Sequence, residues 1–196
     1  MIGVAILAIV LVAAGGAMVW LRPAYQYRLN DVTGHEPGLK LFGARDTQGA
    51  VRAASDYSDK VTVLYMGYTH CPNVCPLTLA RLHAAMKRLG PETAGRIQVL
   101  FVTLDPGRDT AHLLRQYVRA FDPRFRGLRL TGKPLQQFEK RYHVSVSYGE
   151  PGTSGDYVVN HSGGVFVFDR AGRMRLIGSG SDPLNDWVSD LRHLAG

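Results

Sequence analysis

The chain has 196 residues, of which 45% are hydrophobic and 20% are charged. That length and composition suit one domain with a substantial core, and they exclude both a disordered chain and two full-sized domains. The formal net charge is +7, but no nucleic-acid recognition motif accompanies it, so we expect no nucleic-acid partner.

The first 21 residues contain no charged side chain, and as a helix they would span about 30 Å, the thickness of a hydrocarbon core. Trp20 and Arg22 stand where interfacial anchors belong. We therefore predict a transmembrane anchor over residues 1–21. A cleaved signal peptide is the alternative, but its usual basic leading region is missing. Taken alone, Arg22, Arg28 and Lys40 after the span would favour a cytoplasmic domain.

Residues 22–38 are polar and irregular and are predicted to form a tether, and the folded domain is predicted to cover residues 39–196. Alternating and β-branched runs predict strands. These strands lie at 61–68, 97–104, 144–148, 165–168 and 174–177, with two short strands around a turn at 46–49. Apolar residues at helical spacing predict helices at 76–89, from 109 or 110 to 120, at 134–142 and at 182–194.

The order of these elements is strand, helix, strand, helix, then a hairpin of strands and a closing helix. A strand–helix–strand start with short connections predicts parallel pairing and a right-handed crossover, and the closing hairpin adds antiparallel strands. This is the plan of an α/β, thioredoxin-like fold. It would place residues 71–75 at the start of the first core helix.

Cys71 and Cys75 are the two cysteines of the chain. Four residues apart across a helix start, they project onto one face, and the helix N-terminus favours their thiolate forms. Soft Cu(I) prefers thiolate ligands. The same pair could instead form a redox-active disulfide, because a Cα separation of roughly 6 Å permits one. The spacing alone leaves a metal carrier and a thiol oxidoreductase both open.

His161 is the histidine best placed to complete a metal site. It lies in a glycine-flanked loop directly before the predicted strand at 165–168, and in a thioredoxin-like fold that loop faces the cysteine pair. The other six histidines are expected in the tether, on helix surfaces or in local structure. Two cysteines and one histidine also form a known zinc set, but no general base accompanies them, so zinc ranks below copper.

Three segments resemble the Sco/SenC family of copper proteins. They are GYTHCPNVCP at 67–76, VTLDP with RDT at 102–110, and YVVNHS at 157–162. The resemblance extends over about residues 39–194 and implies a thioredoxin-like fold with one membrane anchor. It also implies copper, as Cu(I) with Cu(II) left open, bound by Cys71, Cys75 and His161.

Three further positions bear on the copper site that the resemblance implies. The family places Asp105 near the metal, although an aspartate at a strand end can equally form a turn. The family often has Asp where this chain has Asn73 and Asn160. Each of these departures removes a negative charge beside the site.

The resemblance further implies a copper chaperone for the assembly of cytochrome c oxidase. Its partner would be the copper-centre subunit of the oxidase, with other copper chaperones as further candidates. The alternative is a membrane-anchored thiol–disulfide oxidoreductase that maintains the cysteines of a copper-site partner. The oxidase copper centre lies outside the cytoplasmic membrane. We therefore expect a single-pass protein of the cytoplasmic (inner) membrane with its domain on the extracytoplasmic, periplasmic side.

Residues 115–141 form a basic segment with a net charge of +6. Such a concentration predicts either a docking face for an acidic partner or anionic lipid, or an ordinary solvated surface. The sequence leaves both readings open.

Overall fold

The computed structural model describes residues 25–150, 152 and 156–196. The strands are β1 Asn30–Asp31, β2 Arg45–Asp46, β3 Val61–Gly67, β4 Ile97–Thr103, β5 Arg126–Arg129, β6 Val146–Tyr148, β7 Val159–His161, β8 Val165–Phe168 and β9 Met174–Gly178. The helices are α1 Val74–Gly95, α2 Ala111–Phe121, α3 Gly132–Arg141 and α4 Leu184–Ala195, with a short 3-10 helix at Ala54–Tyr57. The predicted anchor at 1–21 lies outside the described residues. Within the described residues, no helix has the length and apolar character needed to cross a membrane.

The main sheet contains seven strands in the order β1-β9-β8-β3-β4-β5-β2. At its centre β3 pairs in parallel with β4, and β4 pairs in parallel with β5. The hairpin of β8 and β9 joins the other edge of β3 in antiparallel register. Every residue of β3 is buried, as its continuous β-branched and aromatic run predicts for a central strand. The α/β, thioredoxin-like arrangement predicted from the element order is therefore present.

Helices cover both faces of this sheet. On one face, α1, α2 and α4 bury Leu79, Leu114 and Trp187 in a single hydrophobic cluster. On the other, α3 packs Phe138 with Leu41 and its neighbours in a second cluster. Strands β6 and β7 form a separate two-stranded sheet that carries His161 and buries Val159 in the second cluster.

Helix α1 begins at Val74, two residues before the predicted start, and so includes Cys75 in its first turn. The helix is interrupted at Gly90, whose φ of 79° breaks the helical path. Pro91 then starts a short second segment, because proline suits a first helical position and not an interior one. The sequence prediction ended the helix at residue 89.

Strand β5 was missed by the sequence prediction because its four residues, RGLR, carry charges at both ends. The glycine in its middle explains how it packs. A Cβ at Gly127 would lie 2.6 Å from Cγ of Leu114, so only glycine lets α2 approach the strand this closely.

The described part of the predicted tether is folded onto the domain. Leu29 is 6% exposed and belongs to the core cluster beneath α4. The fully buried carboxylate of Asp190 accepts hydrogen bonds from the backbone N–H groups of Arg28 at 2.9 Å and Leu29 at 2.8 Å. It also accepts one from the Tyr25 hydroxyl at 2.8 Å. Residues 25–38 are thus part of the folded structure, which differs from the predicted domain boundary.

The basic segment does not form one continuous face. Its residues lie on α2, β5 and α3, and these two helices pack on opposite faces of the sheet. Four of its arginines make internal contacts: Arg124 pairs with Asp122, and Arg126, Arg129 and Arg141 donate to the carbonyls of Pro123, Pro106 and Gly38. The remaining cations lie on α2 and α3.

Candidate functional site

The two cysteines lie in the connection between β3 and α1 and at the start of that helix. Cys71 is half-buried, Cys75 is fully buried, and both are unbridged. Their placement depends on Gly67, the last residue of β3. A Cβ at Gly67 would lie 2.7 Å from Sγ of Cys75 and 3.1 Å from the Phe101 ring. Glycine at this position therefore lets the Cys75 sulfur pack against the end of the central strand.

The environment of Cys71 stabilises its thiolate. Burial acts to raise the pKa of Cys71, but hydrogen bonds from the backbone N–H groups of Cys75 and Asn73 outweigh burial, and the pKa is lowered. The N–H of Cys75 lies 3.4 Å from the Cys71 sulfur. These are unpaired N–H groups of the helix start, where the helix dipole also favours negative charge. Cys71 is thus the thiol of the pair that ionises first.

Cys75 behaves in the opposite way. Burial raises the pKa of its thiol from 9.0 to about 12, against the opposing effect of the nearby Tyr65 hydroxyl. At neutral pH the pair therefore consists of an accessible sulfur that ionises readily and a buried sulfur that keeps its proton.

Asp109, which is fully buried, forms hydrogen bonds to the loop that carries Cys71. Its carboxylate accepts hydrogen bonds from the Thr69 backbone N–H at 3.0 Å and the Thr69 hydroxyl at 2.6 Å. It also accepts one from the Thr103 hydroxyl at 2.5 Å and lies 3.5 Å from Nδ1 of His70. Thr110 caps α2 by accepting from the Leu113 N–H, so Asp109 at the predicted helix start is not the cap. Asp109 instead positions the cysteine loop, and its presence in the RDT segment was the available signal.

His161 ends β7, the second strand of the β6–β7 hairpin. Burial lowers the pKa of its imidazole, with a smaller opposing effect from the Ser162 carbonyl, which lies 3.3 Å from Nδ1. The ring is therefore neutral at neutral pH and has a nitrogen lone pair available. It meets the edge of the Tyr68 ring at a centroid distance of 6.4 Å. Tyr68 also lies beside Cys71, since burial and then the Cys71 charge raise the pKa of its phenol.

Cys71 and His161 line the same cleft, which has a volume of about 1110 Å³. Cys75 lies behind Cys71 under the helix start. Exposed apolar side chains rim the opening, with Val74 at 60%, Leu77 at 61% and Val158 at 56% exposure. Within the described part of the chain, the two sulfurs and the imidazole do not converge into a cluster of metal-binding size. The structure thus places Cys71, Tyr68 and His161 on one cleft, while Cys75 is fully buried and is not among the described residues that line it.

Asp105 is not among the described residues that line the cleft, and it has its own partners. Its carboxylate, 2% exposed, pairs with Nε of Arg108 at 2.5 Å and accepts from the Tyr157 hydroxyl at 2.7 Å. The Arg108 guanidinium stacks on the Tyr157 ring, 3.6 Å from its centroid. Asp105 therefore serves a buried polar cluster beside the His161 hairpin, and Arg108 and Tyr157 are members that sequence reasoning did not single out.

Comparison with known proteins gives a consistent family. A family model described as SCO1/SenC matches residues 31–196. The "Protein SCO2 homolog, mitochondrial" of Bos taurus is 33% identical over 170 residues, which cover 83% of this chain and 64% of that protein. The chain covers 50% of the corresponding human protein. It therefore spans about half to two-thirds of the length of these curated relatives.

Two solved structures show the same fold. The apo Sco1 protein from Thermus thermophilus is 29% identical, with a TM-score of 0.76, and the match covers 88% of this chain and 99% of that one. Bradyrhizobium japonicum ScoI, solved with copper bound, is 27% identical with a TM-score of 0.70, and the match covers 77% of this chain and 95% of that one. The family match spans most of the chain and includes the cysteine loop, the Asp105 turn and the His161 hairpin, so this chain belongs to the SCO1/SenC family.

Proposed function

We propose that this chain binds one copper ion as cargo through Cys71, Cys75 and His161. The observation that carries the proposal is the pairing of a thiol of lowered pKa with a neutral imidazole on one cleft. Thiolates and imidazole are the donors that Cu(I) accepts, and Cu(II) also accepts imidazole. The copper-bound structure of the related ScoI supports the choice of metal.

The residues present fit such a cargo. The helix start places partial positive charge beside the sulfurs, which offsets the net negative charge of two thiolates with Cu(I). Cys71 is the sulfur that ionises readily, whereas Cys75 must lose its proton when it binds. Copper uptake should therefore release protons and weaken as the pH falls.

The experiment is Cu(I) competition against a chromogenic chelator, with the full chain purified anaerobically in detergent. The parent should bind one Cu(I), and His161→Ala should bind it at least about 10-fold more weakly. His112→Ala, an exposed histidine on α2, is the matched control and should bind like the parent. A parent that binds no Cu(I), or a His161→Ala variant that binds as tightly as the parent, would refute the ligand assignment.

We further propose that the chain delivers this copper to the copper centre of cytochrome c oxidase. Membership of the family supports this role, and the apolar rim of Val74, Leu77 and Val158 offers a surface for a protein partner at the mouth of the cleft. The proposed setting is a single-pass anchor in the cytoplasmic (inner) membrane with the domain on the extracytoplasmic side. Alkylation of Cys71 in intact spheroplasts by a membrane-impermeant reagent should therefore succeed. Protection until lysis would instead support a cytoplasmic domain.

Thiol–disulfide exchange is a second candidate because the two cysteine pKa values lie far apart. The Cys71 thiolate would attack a partner disulfide and release one partner thiolate. Cys75 would then lose its proton and displace the second partner thiolate, which leaves a Cys71–Cys75 disulfide and a reduced partner. His161→Ala distinguishes the two functions, since it should weaken copper binding and leave this exchange intact. Loss of exchange with unchanged copper binding would put the oxidoreductase first.

A further inference from the structure

The β6–β7 hairpin, which carries His161, is fastened to the body by two tyrosines. The Tyr148 hydroxyl donates to the Leu104 carbonyl at 2.8 Å. The Tyr157 hydroxyl donates to the Asp105 carboxylate at 2.7 Å. Both acceptors lie in the connection between β4 and α2, so this connection holds the hairpin at Tyr148 in β6 and at Tyr157, two residues before β7.

Arg108 strengthens this attachment from within the same connection. Its Nε donates to Asp105 at 2.5 Å, and its guanidinium lies over the Tyr157 ring at 3.6 Å from the centroid. The side chains of Arg108 and Asp105 are 18% and 2% exposed. Charge-assisted hydrogen bonds and cation–π contacts are stronger when water is excluded in this way. Arg108 therefore acts as a clamp that holds Tyr157 and the carboxylate that Tyr157 bonds.

The geometry of the strand connects this clamp to the metal ligand. Tyr157 lies two residues before β7, and the Gly149 N–H donates to the Val158 carbonyl at 2.8 Å, so the pairing with the β6 side continues toward Tyr157. The distance from Tyr157 to His161 along an extended chain is about 13 Å, and Val159 between them is buried. A second connection runs through Tyr68, whose ring lies 5.9 Å from the Arg108 guanidinium and 6.4 Å from the His161 ring. Displacement of Tyr157 should thus displace His161.

We propose that Tyr157 is a positioning residue for copper binding: bonded to Asp105 and covered by the Arg108 guanidinium, it fixes the hairpin with His161 at the cysteine cleft. This inference rests on the proposed copper function. It predicts that the polar cluster of Asp105, Arg108 and Tyr157 affects the position of His161 and does not affect the two cysteines.

The test uses two substitutions of Tyr157 in the full chain. Tyr157→Leu removes both the ring under Arg108 and the hydroxyl, whereas Tyr157→Phe keeps the ring. We expect Tyr157→Leu to weaken Cu(I) binding about 10-fold and Tyr157→Phe to weaken it less. Each is combined with His161→Ala, because a residue that acts through His161 loses its effect once the imidazole is gone. In that background Tyr157→Leu should change Cu(I) affinity by less than about twofold. Tyr25→Phe is the matched control, because it removes the tyrosine hydroxyl that donates to the buried carboxylate of Asp190.

Two readouts on the metal-free protein complete the test. Amide hydrogen exchange should become faster in β6 and β7 of Tyr157→Leu, and the Cys71–Cys75 midpoint potential should stay that of the parent. An equal loss of affinity with and without His161, a shifted potential, or unchanged Cu(I) binding in Tyr157→Leu would overturn the proposal. If Tyr157→Leu fails to fold, the same comparison in Tyr157→Phe decides it. A parent that binds no copper would refute the proposed function, whereas a copper-binding parent with an indifferent Tyr157 would refute this inference alone.

Discussion

The two cysteines should differ strongly in their reactivity toward an alkylating reagent, because the fold gives them opposite environments. Cys71 is half-exposed, and its thiolate accepts hydrogen bonds from the backbone N–H groups of the helix start. Cys75 is buried against the end of β3 and keeps its proton. We expect iodoacetamide at neutral pH to label Cys71 first and Cys75 much more slowly.

The size of the difference follows from the pKa of each thiol. A rise in the Cys75 pKa from 9.0 to about 12 lowers its thiolate fraction about 1,000-fold below that of an ordinary thiol. A more basic thiolate is also a better nucleophile, and a Brønsted slope near one half returns roughly 30-fold of that loss. Cys75 should therefore react roughly 30-fold more slowly than an ordinary cysteine even before its burial is counted. Cys71, with its lowered pKa, should react faster than an ordinary thiol near neutral pH.

The assay is timed alkylation of the reduced chain from pH 6 to pH 9, with the labelled positions assigned by mass spectrometry. Cys75→Ser isolates Cys71 and Cys71→Ser isolates Cys75, while the unfolded chain provides equal reference rates. Similar rates for the two folded cysteines, or a faster Cys75, would refute the assignment of Cys71 as the leading thiolate. In Cys75→Ser the pKa of Cys71 should move only slightly, since most of the N–H donors that lower it are backbone groups.

Three changes elsewhere have equally definite outcomes. Gly67→Ala should lower the free energy of unfolding by about 1–3 kcal/mol and displace Cys75. Denaturant unfolding measures the first effect and Cu(I) stoichiometry the second, and unchanged values would contradict the close approach of the Cys75 sulfur to Gly67. Removal of residues 1–29 should destabilise the domain relative to removal of residues 1–24, because buried Asp190 loses its N–H and hydroxyl partners; equal melting temperatures would show that these contacts are dispensable. Arg124 and the other donors lower the pKa of Asp122 to about 2, so its contribution of about 2 kcal/mol should be present above pH 4 and lost as the pH falls toward 2. Asp122→Asn should remove that pH dependence, and an identical acid unfolding profile would argue against it.

Residue type and spacing were enough to predict the core of the fold, and the ligand set of Cys71, Cys75 and His161 stays a prediction. The β-branched runs that became β3, β4 and β8 are continuous and apolar, and such runs identify central strands without knowledge of their partners. The cysteines were identifiable because they are two of a kind at one helix start. His161 was identifiable because the element order places its segment opposite that helix. The anchor at 1–21 and the orientation of the domain remain predictions.

The residues that position the site could not be found in this way, because their partners are distant in sequence. Asp109 bonds Thr69, which lies 40 positions earlier, and Tyr157 bonds Asp105, which lies 52 positions earlier. In sequence Asp105 resembles a turn residue and Asp109 lies at a predicted helix start, and only the fold shows that their carboxylates are buried and paired. Strand β5 was missed for a related reason, because its two terminal arginines give a short buried strand a charged sequence. Its glycine is required only because α2 packs directly on it. The same fold divides the basic segment between two faces, which periodicity alone does not reveal.

The charge around the cleft explains how this chain can differ from the family pattern and keep a thiolate-based site. Within the described residues, the lining includes the cation Arg81 and no carboxylate, and Asn73 and Asn160 stand there where the family often has Asp. A carboxylate at either position would oppose ionisation of Cys71, because like charges at short range disfavour each other. With amides instead, the N–H groups of the helix start act on the sulfur without that opposition. Two thiolates with Cu(I) would then carry the one negative charge of the site, facing a helix terminus of opposite sign. The two asparagines thus favour thiolate formation at Cys71, and in the proposed copper site the cost of binding would lie mainly in removing the proton from buried Cys75.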